Sequence, residues 1–205
     1  MRVYAATKNL GKLAELEALF AGSAIEIATF PDYADPVEGE TSYTENAALK
    51  ARALYRQLQR AGRSSAVLAD DSGLEVAALD GRPGVLTAFY GGAVSWPARR
   101  AALLAEVERT GSADRRARFV CALHFIDEAG RELATMGTVD GVIPAEERGS
   151  DGFSFDPIFW YPPATRTFAE LTNAEKNAVS HRAVAVTALL AALKTAGTGS
   201  GGLVY

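Results

Sequence analysis

Short apolar runs alternate with amphipathic stretches along the first half of the chain. Residues 3–6, 25–30 and 66–69 are apolar runs with the length of buried strands. Apolar residues recur at helical spacing over 13–20, and an Ala-, Leu- and Arg-rich stretch over 42–60 starts with the spacing of a capping box. This half is therefore expected to form alternating strands and helices.

The second half contains longer strand patterns and two further helices. Residues 117–126 and 132–143 are predicted to be strands joined by a tight turn, and 156–160 a strand entered through proline. A helix is predicted over 96–109, and a last helix should begin at residue 180 with an apolar face that includes Val184, Leu189, Leu190 and Leu193. Early alternation followed by a hairpin predicts the α/β fold class, a mixed β-sheet with flanking helices.

The composition is that of an ordinary globular domain. The chain has 205 residues, 48% of them apolar and 22% charged, which is enough for a sizeable core. Its pattern contains no dividing linker, so we expect a single domain over 1–196 and a flexible tail over 197–205. The formal net charge of −4 disfavours binding to duplex nucleic acid, whereas a small anionic ligand needs only a local basic cluster.

Cysteine use and hydropathy predict a cytoplasmic protein without a membrane partner. Cys121 is the only cysteine, so an internal disulfide is excluded and a reducing compartment is expected. It lies in an apolar run, which favours a buried, unreactive thiol. The apolar N-terminal run is too short for a signal peptide, and no run has the length needed to cross a bilayer.

A polar loop between the first strand and the first helix could bind phosphate. Backbone N–H groups and the positive end of a helix face the ligand in such a loop, and two lysines add charge. The loop lacks the glycines and the serine of a Walker A motif, so a solvated loop before a capped helix is the alternative. The candidate residues are Thr7, Lys8, Asn9, Leu10, Gly11 and Lys12.

An acidic pair, Asp70 and Asp71, follows the apolar run at 66–69, where we expect the strand to end in a tight polar turn through Ser72. Adjacent carboxylates at the end of a buried strand repel each other, and a bound Mg2+ would remove that repulsion. Successive strand residues face opposite sides, so only one carboxylate needs to face the ligand. Alternatively, Asp70 caps the turn and Asp71 is solvated.

Two further features could contribute to the same site. Glu38 and Glu40 lie on a loop that could bring a carboxylate to the metal, although loop glutamates are usually solvated. Lys50 lies well inside the following helix, and it would matter only if that helix faces the phosphate loop.

The segment 152–157 and the start of the last helix could bind a nucleobase. An aromatic side chain beside a flexible glycine can stack on a base, and a carboxylate can accept from ring N–H groups. The alternatives are core packing for one of the two phenylalanines and surface placement for the helical residues. With only two histidines, a zinc site is disfavoured. The candidates are Phe153, Ser154, Phe155, Asp156, Lys176, His181 and Arg182.

These blocks, in this order along nearly the whole chain, resemble the inosine/xanthosine triphosphate pyrophosphatases. The resemblance implies an elongated α/β fold with two lobes around a central nucleotide cleft, and a homodimer. It implies hydrolysis of ITP, dITP and XTP to the nucleoside monophosphate and pyrophosphate. The matching segments are 7–12 with Glu15, 45–50, 69–75, 81–84, 153–159, 169–171, 175–177 and 180–182.

The resemblance also implies roles. Residues 7–12 would hold the triphosphate, and Ser72 and Lys50 would contact phosphate or sugar. Asp71 would bind Mg2+ and activate water, with Glu38 as a second metal ligand. Phe153 would stack on the base, and the remaining candidates at 156, 176, 181 and 182 would contact its edge.

The chain departs from the family pattern at several positions. A Phe-Gly-Tyr-Asp block is Phe-Ser-Phe-Asp over 153–156, an aromatic is Leu86, and a glycine is Ala183. Phe89 stands where an arginine is usual, which affects substrate tuning, a salt bridge or a dimer contact. A pyrophosphatase for pyrimidine or modified nucleotides and a non-catalytic nucleotide sensor are the alternative functions.

Overall fold

The computed structural model describes residues 1–198, which form one mixed sheet flanked by helices. Along the sheet the strand order is β2-β1-β3-β5-β6-β7-β8, and β4 pairs with β3. The strands are β1 Arg2–Ala5, β2 Glu26–Ala28, β3 Ala66–Val76, β4 Pro83–Gly84, β5 Arg116–Ile126, β6 Glu132–Val142, β7 Trp160–Tyr161 and β8 Arg166–Thr167. The helices are α1 Leu10–Phe20, α2 Tyr43–Arg60, α3 Trp96–Arg109, α4 Asn173–Val179 and α5 His181–Thr198.

The sheet combines parallel and antiparallel pairing, which confirms the predicted fold class. Strand β1 pairs in parallel with both β2 and β3. Strand β3 pairs antiparallel with β5, and β5 pairs antiparallel with β6 through the predicted hairpin. The parallel part requires crossover helices, and α1 and α2 supply them, as the early alternation predicts.

Strand β3 is longer than predicted, and this corrects the expected turn after the acidic pair. Asp70, Asp71 and Ser72 lie within the strand, paired with Leu123, Ala122 and Cys121 of β5. The apolar run ends at residue 69, but the backbone ladder continues because β5 offers partners along its whole length. The change from apolar to polar side chains after residue 69 therefore marks the part of β3 that lines the cleft. The strand itself ends at Val76.

The segment around Pro157 also differs from its prediction. Residues Asp156–Ile158 form one 3-10 turn, and only Trp160 and Tyr161 form a strand. Proline lacks the N–H that a strand ladder needs and fixes φ near the helical range, which favours the turn. The predicted strand over 156–160 is therefore wrong for its first part.

Helix ends follow the capping signals closely. Ser42 and Ser95 accept from backbone N–H groups of α2 and α3, as expected. Asn9 caps α1, so residues 10–12 are the first turn of the helix and not part of the loop. Ser180 ends the unpredicted short helix α4 and its Oγ accepts from Ala183 N–H at 3.1 Å, so it also begins α5.

The apolar face of α5 is displaced from the predicted one. Ala185, Val186 and Leu189 are buried against α1 and the sheet, together with the partly buried Leu190 and Leu193. Val184 is 44% exposed, so its predicted place on the apolar face is wrong. The sequence pattern was ambiguous there because α5 is alanine-rich and apolar on several sides.

Separate core clusters lie on either side of the middle of β3. Its first residues pack with α1, α5 and β1 on one face and with α2 on the other. Its last residues, from Leu74, pack with Phe119, Phe159 and Phe168 in another cluster. Residues 70–73 lie between these clusters and line a cleft.

The C-terminal tail and the absence of a membrane span were also predicted from the sequence. Helix α5 is described to Thr198, and the rest of the predicted tail, 199–205, lies outside the described residues. Among residues 1–198, no helix has the length and hydropathy needed to span a bilayer.

Candidate active site

The cleft has a volume of about 280 Å³ and gathers segments that lie far apart in the sequence. Most of the residues predicted from the sequence line it. They are Thr7, Lys8, Asn9, Lys12, Glu38, Lys50, Asp71, Ser72, Phe153, Ser154, Asp156, Lys176, His181 and Arg182. Three candidates, Leu10, Gly11 and Phe155, are not among the lining residues.

The N-terminus of α1 provides a positive end to the cleft. Asn9 Oδ1 accepts from the backbone N–H of Lys12 at 3.1 Å, and Thr7 Oγ1 accepts from the N–H of Asn9. These bonds fix the first turn of the helix beside the cleft, where its dipole favours an anion. Lys8 is largely exposed and pairs with Asp35 at 3.0 Å.

Leu10 is the exception in this segment. Its side chain is 79% exposed and does not line the cleft. The helix begins at Leu10, so the side chains of residues 10 and 12 point in different directions, and only Lys12 turns inward. A ligand could reach Leu10 only through its backbone N–H.

Asp70 and Asp71 project from opposite faces of β3, as strand geometry requires. Asp71 faces α2, where its Oδ1 accepts from Lys50 Nζ at 2.7 Å and its Oδ2 accepts from Asn46 Nδ2 at 3.3 Å. Lys50 Nζ also lies 3.1 Å from Glu38 Oε2. Burial alone would lower the pKa of Lys50, but the neighbouring Asp71 and Glu38 carboxylates raise it, so the ammonium stays charged.

Asn46 holds the loop that carries Glu38. Its amide donates to the carbonyl oxygen of Gly39 at 2.9 Å and accepts from the Gly39 N–H at 2.8 Å. The same amide group reaches Asp71, so one side chain fixes the loop and the carboxylate together. By contrast, Glu40 is exposed and is not among the cleft-lining residues.

Asp70 is fully buried and surrounded by donors. Its Oδ2 accepts from Arg182 Nε at 2.9 Å and from Cys121 Sγ at 3.0 Å. Its Oδ1 accepts from Ser72 Oγ at 3.1 Å and pairs with the ammonium of Lys12. Burial alone would raise the pKa of Asp70, but Arg182 and Lys12 hold it well below its usual value.

The carboxylates suit a divalent cation of the magnesium type. Mg2+ binds through one or two protein carboxylates and completes its shell with water and substrate phosphates. Asp71 and Glu38 offer two carboxylates that lie within reach of one ammonium. Among residues 1–198, no cluster of three or more His, Cys, Asp or Glu side chains could hold a metal alone. The donor set therefore fits Mg2+ shared with a phosphate ligand.

The aromatic part of the cleft is built around Phe153, beside the start of α1. Its ring lies against the backbone of Gly11, where an added Cβ would approach it to 2.8 Å. Lys176 Nζ lies 4.7 Å from the centre of the ring, within cation–π distance. That ammonium is buried between Asp156 Oδ2 at 2.5 Å and Glu15 Oε1 at 2.6 Å.

His181 and Arg182 begin α5 beneath this pocket, and both are buried. The imidazole of His181 stacks on Phe119 with ring centres 4.8 Å apart, and its Nδ1 has no hydrogen-bond partner. Burial, followed by the neighbouring Arg182, holds the pKa of His181 well below its usual value. A neutral imidazole with an unpaired buried nitrogen in a cleft wall can bond a ligand.

The side chain of Arg182 is buried and bonds to other residues of the site. Its guanidinium donates to Asp70, to Ser72 Oγ at 3.1 Å and to Glu15. It therefore links β3 to α1 from within the last helix, and surface placement, the alternative weighed from the sequence, is wrong.

Phe155 lies in the hydrophobic core and does not line the cleft, so the predicted ligand contact is wrong for this residue. It is fully buried and packs edge-to-face on Trp96 and Tyr90, with ring centres 5.5 and 6.3 Å away. The 3-10 turn that begins at Asp156 directs Phe155 into the core, away from the cleft side that carries Phe153. Of the two phenylalanines, this is the one used for core packing.

Ser154 adopts a conformation that favours glycine. Its φ is 60°, in the left-handed region, where a side chain costs about 1–2 kcal/mol. Its carbonyl oxygen accepts from Arg100 Nη1 at 3.0 Å, which holds the segment in this shape. The family resemblance drawn from the sequence leads us to expect glycine at this position.

We expect Ser154→Gly to stabilise the protein by about 0.5–1 kcal/mol, since the relief of strain exceeds the added freedom of the unfolded chain. Urea denaturation of the variant and the wild type measures this difference. Ser154→Ala is the matched control, because it retains the Cβ and should give no gain. An equal gain from both variants would show that the backbone conformation is not the cause.

The rim of the cleft carries an exposed aromatic side chain. Phe89 lines the cleft with 67% of its surface exposed, and Leu86 is also partly exposed nearby in sequence. Arg99 of α3 donates to the carbonyl oxygens of Ala88 and, at 2.8 Å, Gly92, and so holds the segment on either side of Phe89. An apolar ring therefore lies at the rim, at the position where the resemblance leads us to expect an arginine.

Glu15 and Asn46 were not predicted as site residues. Both lie in blocks that support the family resemblance, and Glu15 is three residues beyond Lys12 on α1, which places both on one helix face. That spacing was a usable signal for Glu15. For Asn46, a buried amide near the start of α2, no local pattern indicates contact with a strand 25 residues away.

Comparisons with known proteins agree with this architecture. The sequence model of the Ham1 family matches residues 3–192. A protein of Exiguobacterium sibiricum named dITP/XTP pyrophosphatase is 42% identical over 199 residues, covering 95% of this chain and 98% of that protein. One of the same name from Geobacillus kaustophilus is 46% identical over 189 residues, covering 90% of each.

A solved structure of a HAM1 protein from Coxiella burnetii is similar to the whole fold. It has a TM-score of 0.82 and 36% identity, covering 95% of this chain and 99% of that one. The resemblance drawn from the sequence is therefore confirmed, and the chain belongs to the Ham1 family.

Proposed function

We propose that this protein hydrolyses dITP, ITP and XTP to the nucleoside monophosphate and pyrophosphate. One observation carries the proposal: a single cleft joins a helix N-terminus with Lys12, a carboxylate pair with Lys50, and an aromatic pocket with Lys176. Together these groups could bind the triphosphate, the reacting phosphate and the base of one nucleotide. The relatives named dITP/XTP pyrophosphatase support the assignment of the substrate.

The phosphate end of the cleft would bind and orient the triphosphate. The first turn of α1 and the ammonium of Lys12 supply donors and positive charge, and Lys50 supplies a second ammonium. Such groups stabilise the charge that develops on phosphate oxygens in the transition state. Thr7, Lys8 and Ser72 lie within the same wall and could add polar contacts.

Asp71 would act as the base for the attacking water, and with Glu38 it would hold Mg2+. When bound, the cation would neutralise phosphate charge and lower the pKa of a coordinated water. Asp71 accepts hydrogen bonds on both oxygens, which fixes the orientation of the carboxylate. A base must lie within hydrogen-bond reach of the proton it abstracts, so this fixed orientation is part of its role.

At the base end, Phe153 would provide the stacking surface. Asp156, Lys176 and His181 lie around it and could contact the polar edge of the base. Lys176 is a donor, and a 6-oxo purine offers an acceptor where adenine has an amino group. A site built to donate to that oxygen disfavours adenine because buried donors would lose their partner.

We expect kcat/KM to be highest for dITP, ITP and XTP in the presence of Mg2+, and at least tenfold lower for ATP, because a buried donor would lose its partner against the 6-amino group. A lower value is also expected for GTP, from the names of the relatives. Pyrophosphate release from these substrates, with dTTP included, measures the preference. Equal rates for ITP and GTP would contradict the proposed selectivity, and a preference for dTTP would favour the pyrimidine alternative.

A non-catalytic nucleotide sensor is the second candidate, because the same pocket would bind without turnover. The ion pairs of Asp71 and Lys50 in the cleft favour the enzyme, since a sensor needs no oriented carboxylate beside the phosphates. Binding of ITP without any release of pyrophosphate would establish the sensor instead. The homodimer and the cytoplasmic location implied earlier stay predictions, and gel filtration tests the first.

A further inference from the structure

Lys50 occupies the position between the two carboxylates proposed as metal ligands. Its Nζ lies 2.7 Å from Asp71 Oδ1 and 3.1 Å from Glu38 Oε2, and the side chain is only 8% exposed. A cation that binds both carboxylates must therefore compete with this ammonium for the same oxygen atoms. The single positive charge of this ammonium offsets one of the two negative charges of the pair.

The carboxylates themselves have little freedom to avoid this competition. Asn46 donates to the second oxygen of Asp71 and holds both backbone groups of Gly39, the residue after Glu38. The ammonium, at the end of a flexible stem, is the group that can move. Moving it away without a new anionic partner would leave a buried cation unpaired, which is strongly unfavourable.

A triphosphate in the cleft would provide that partner. The helix N-terminus and Lys12 place phosphate oxygens in the same cleft as Lys50, so the displaced ammonium could bond to them. Metal binding and triphosphate binding would then each remove the cost of the other, which is a positive coupling between the two ligands.

We propose that Lys50 is an internal counter-ion that keeps divalent metal out of the free site and makes metal and triphosphate bind together. The inference rests on the proposed function, since it takes Asp71 and Glu38 as the metal ligands. It adds the order of binding to that function. The cation enters with the nucleotide, and the nucleotide-free protein binds the cation weakly.

Titration of the nucleotide-free protein with Mn2+, followed by the electron paramagnetic resonance signal of free Mn2+, tests the inference. Lys50→Met removes the ammonium and keeps the apolar stem, and we expect it to bind Mn2+ at least tenfold more tightly than the wild type. Lys8→Met is the matched control, because it removes a charge from the same cleft but not from this pair, and should change the affinity less than threefold.

Lys50→Met combined with Asp71→Asn should lose the gain, which locates the new affinity at this pair. If Lys50→Met does not fold, Lys50→Gln keeps a polar NH2 group near the carboxylates without the positive charge and should show the same gain. Equal Mn2+ affinity of the wild type and the folded Lys50 variants would overturn the inference. Turnover of dITP by the wild type is measured separately, so this result would leave the proposed function standing.

Discussion

Replacing Asp71 with asparagine is expected to lower kcat for dITP by at least about a thousandfold. A general base contributes about 10²- to 10⁴-fold, and the loss of a metal ligand adds to this. The amide has nearly the same shape as the carboxylate, and its one oxygen can still accept from Lys50, although the acceptor that faces Asn46 is lost. The variant should therefore fold and still bind the nucleotide.

Single-turnover release of pyrophosphate, together with calorimetric binding of dITP, separates these effects. Glu40→Gln is the matched control, since Glu40 lies on the loop with Glu38 but is exposed and outside the cleft lining. Its rate should remain within about twofold of the wild type, because exposed charges contribute little. An Asp71→Asn variant within tenfold of the wild type would show that another group activates the water.

Local patterns in the sequence were sufficient for the elements around the site. Ser42 and Ser95 marked helix starts correctly, and the hairpin between β5 and β6 followed from its turn residues. Local patterns gave a wrong strand end where pairing with a distant strand outweighs the polarity of the side chains. Asp70 and Asp71 read as the end of a strand, yet β5 continues the ladder past them.

The ion pairs of the site could not be predicted in the same way. Lys50 contacts a carboxylate 21 residues away, and Arg182 contacts one 112 residues away. No periodicity encodes such partners, since each depends on how two elements cross in the fold. The family resemblance named Lys50 and Arg182 for the site, but it did not indicate that Asp70 and Glu15 bind the guanidinium of Arg182.

That guanidinium makes Asp70 the residue whose loss should cost the most stability. Asp70→Asn is expected to lower the free energy of unfolding at pH 7 by about 3–5 kcal/mol, because it leaves Lys12 without its counter-charge and the buried Arg182 with only one of its two carboxylate partners. Asp140→Asn breaks an exposed pair with Arg118 and is the control, with an expected loss of about 0–1 kcal/mol.

The pH dependence of this loss provides an independent check on its cause. The pKa of Asp70 in the folded protein lies well below its ordinary value, so its ionised form stabilises the fold. That contribution is complete above the unfolded pKa of about 3.9, and it fades as the pH falls through the lower folded pKa.

Urea denaturation at pH 7 and at about pH 2.5 should therefore show a smaller difference between the wild type and Asp70→Asn in acid. A difference that is the same at both pH values would mean that packing, and not the charge of Asp70, holds α5 against β3. In that case Asp70 would not position Arg182 and Lys12, and both cations would be free to bind the ligand. The ion pairs indicate instead that the buried carboxylate of Asp70 positions both cations.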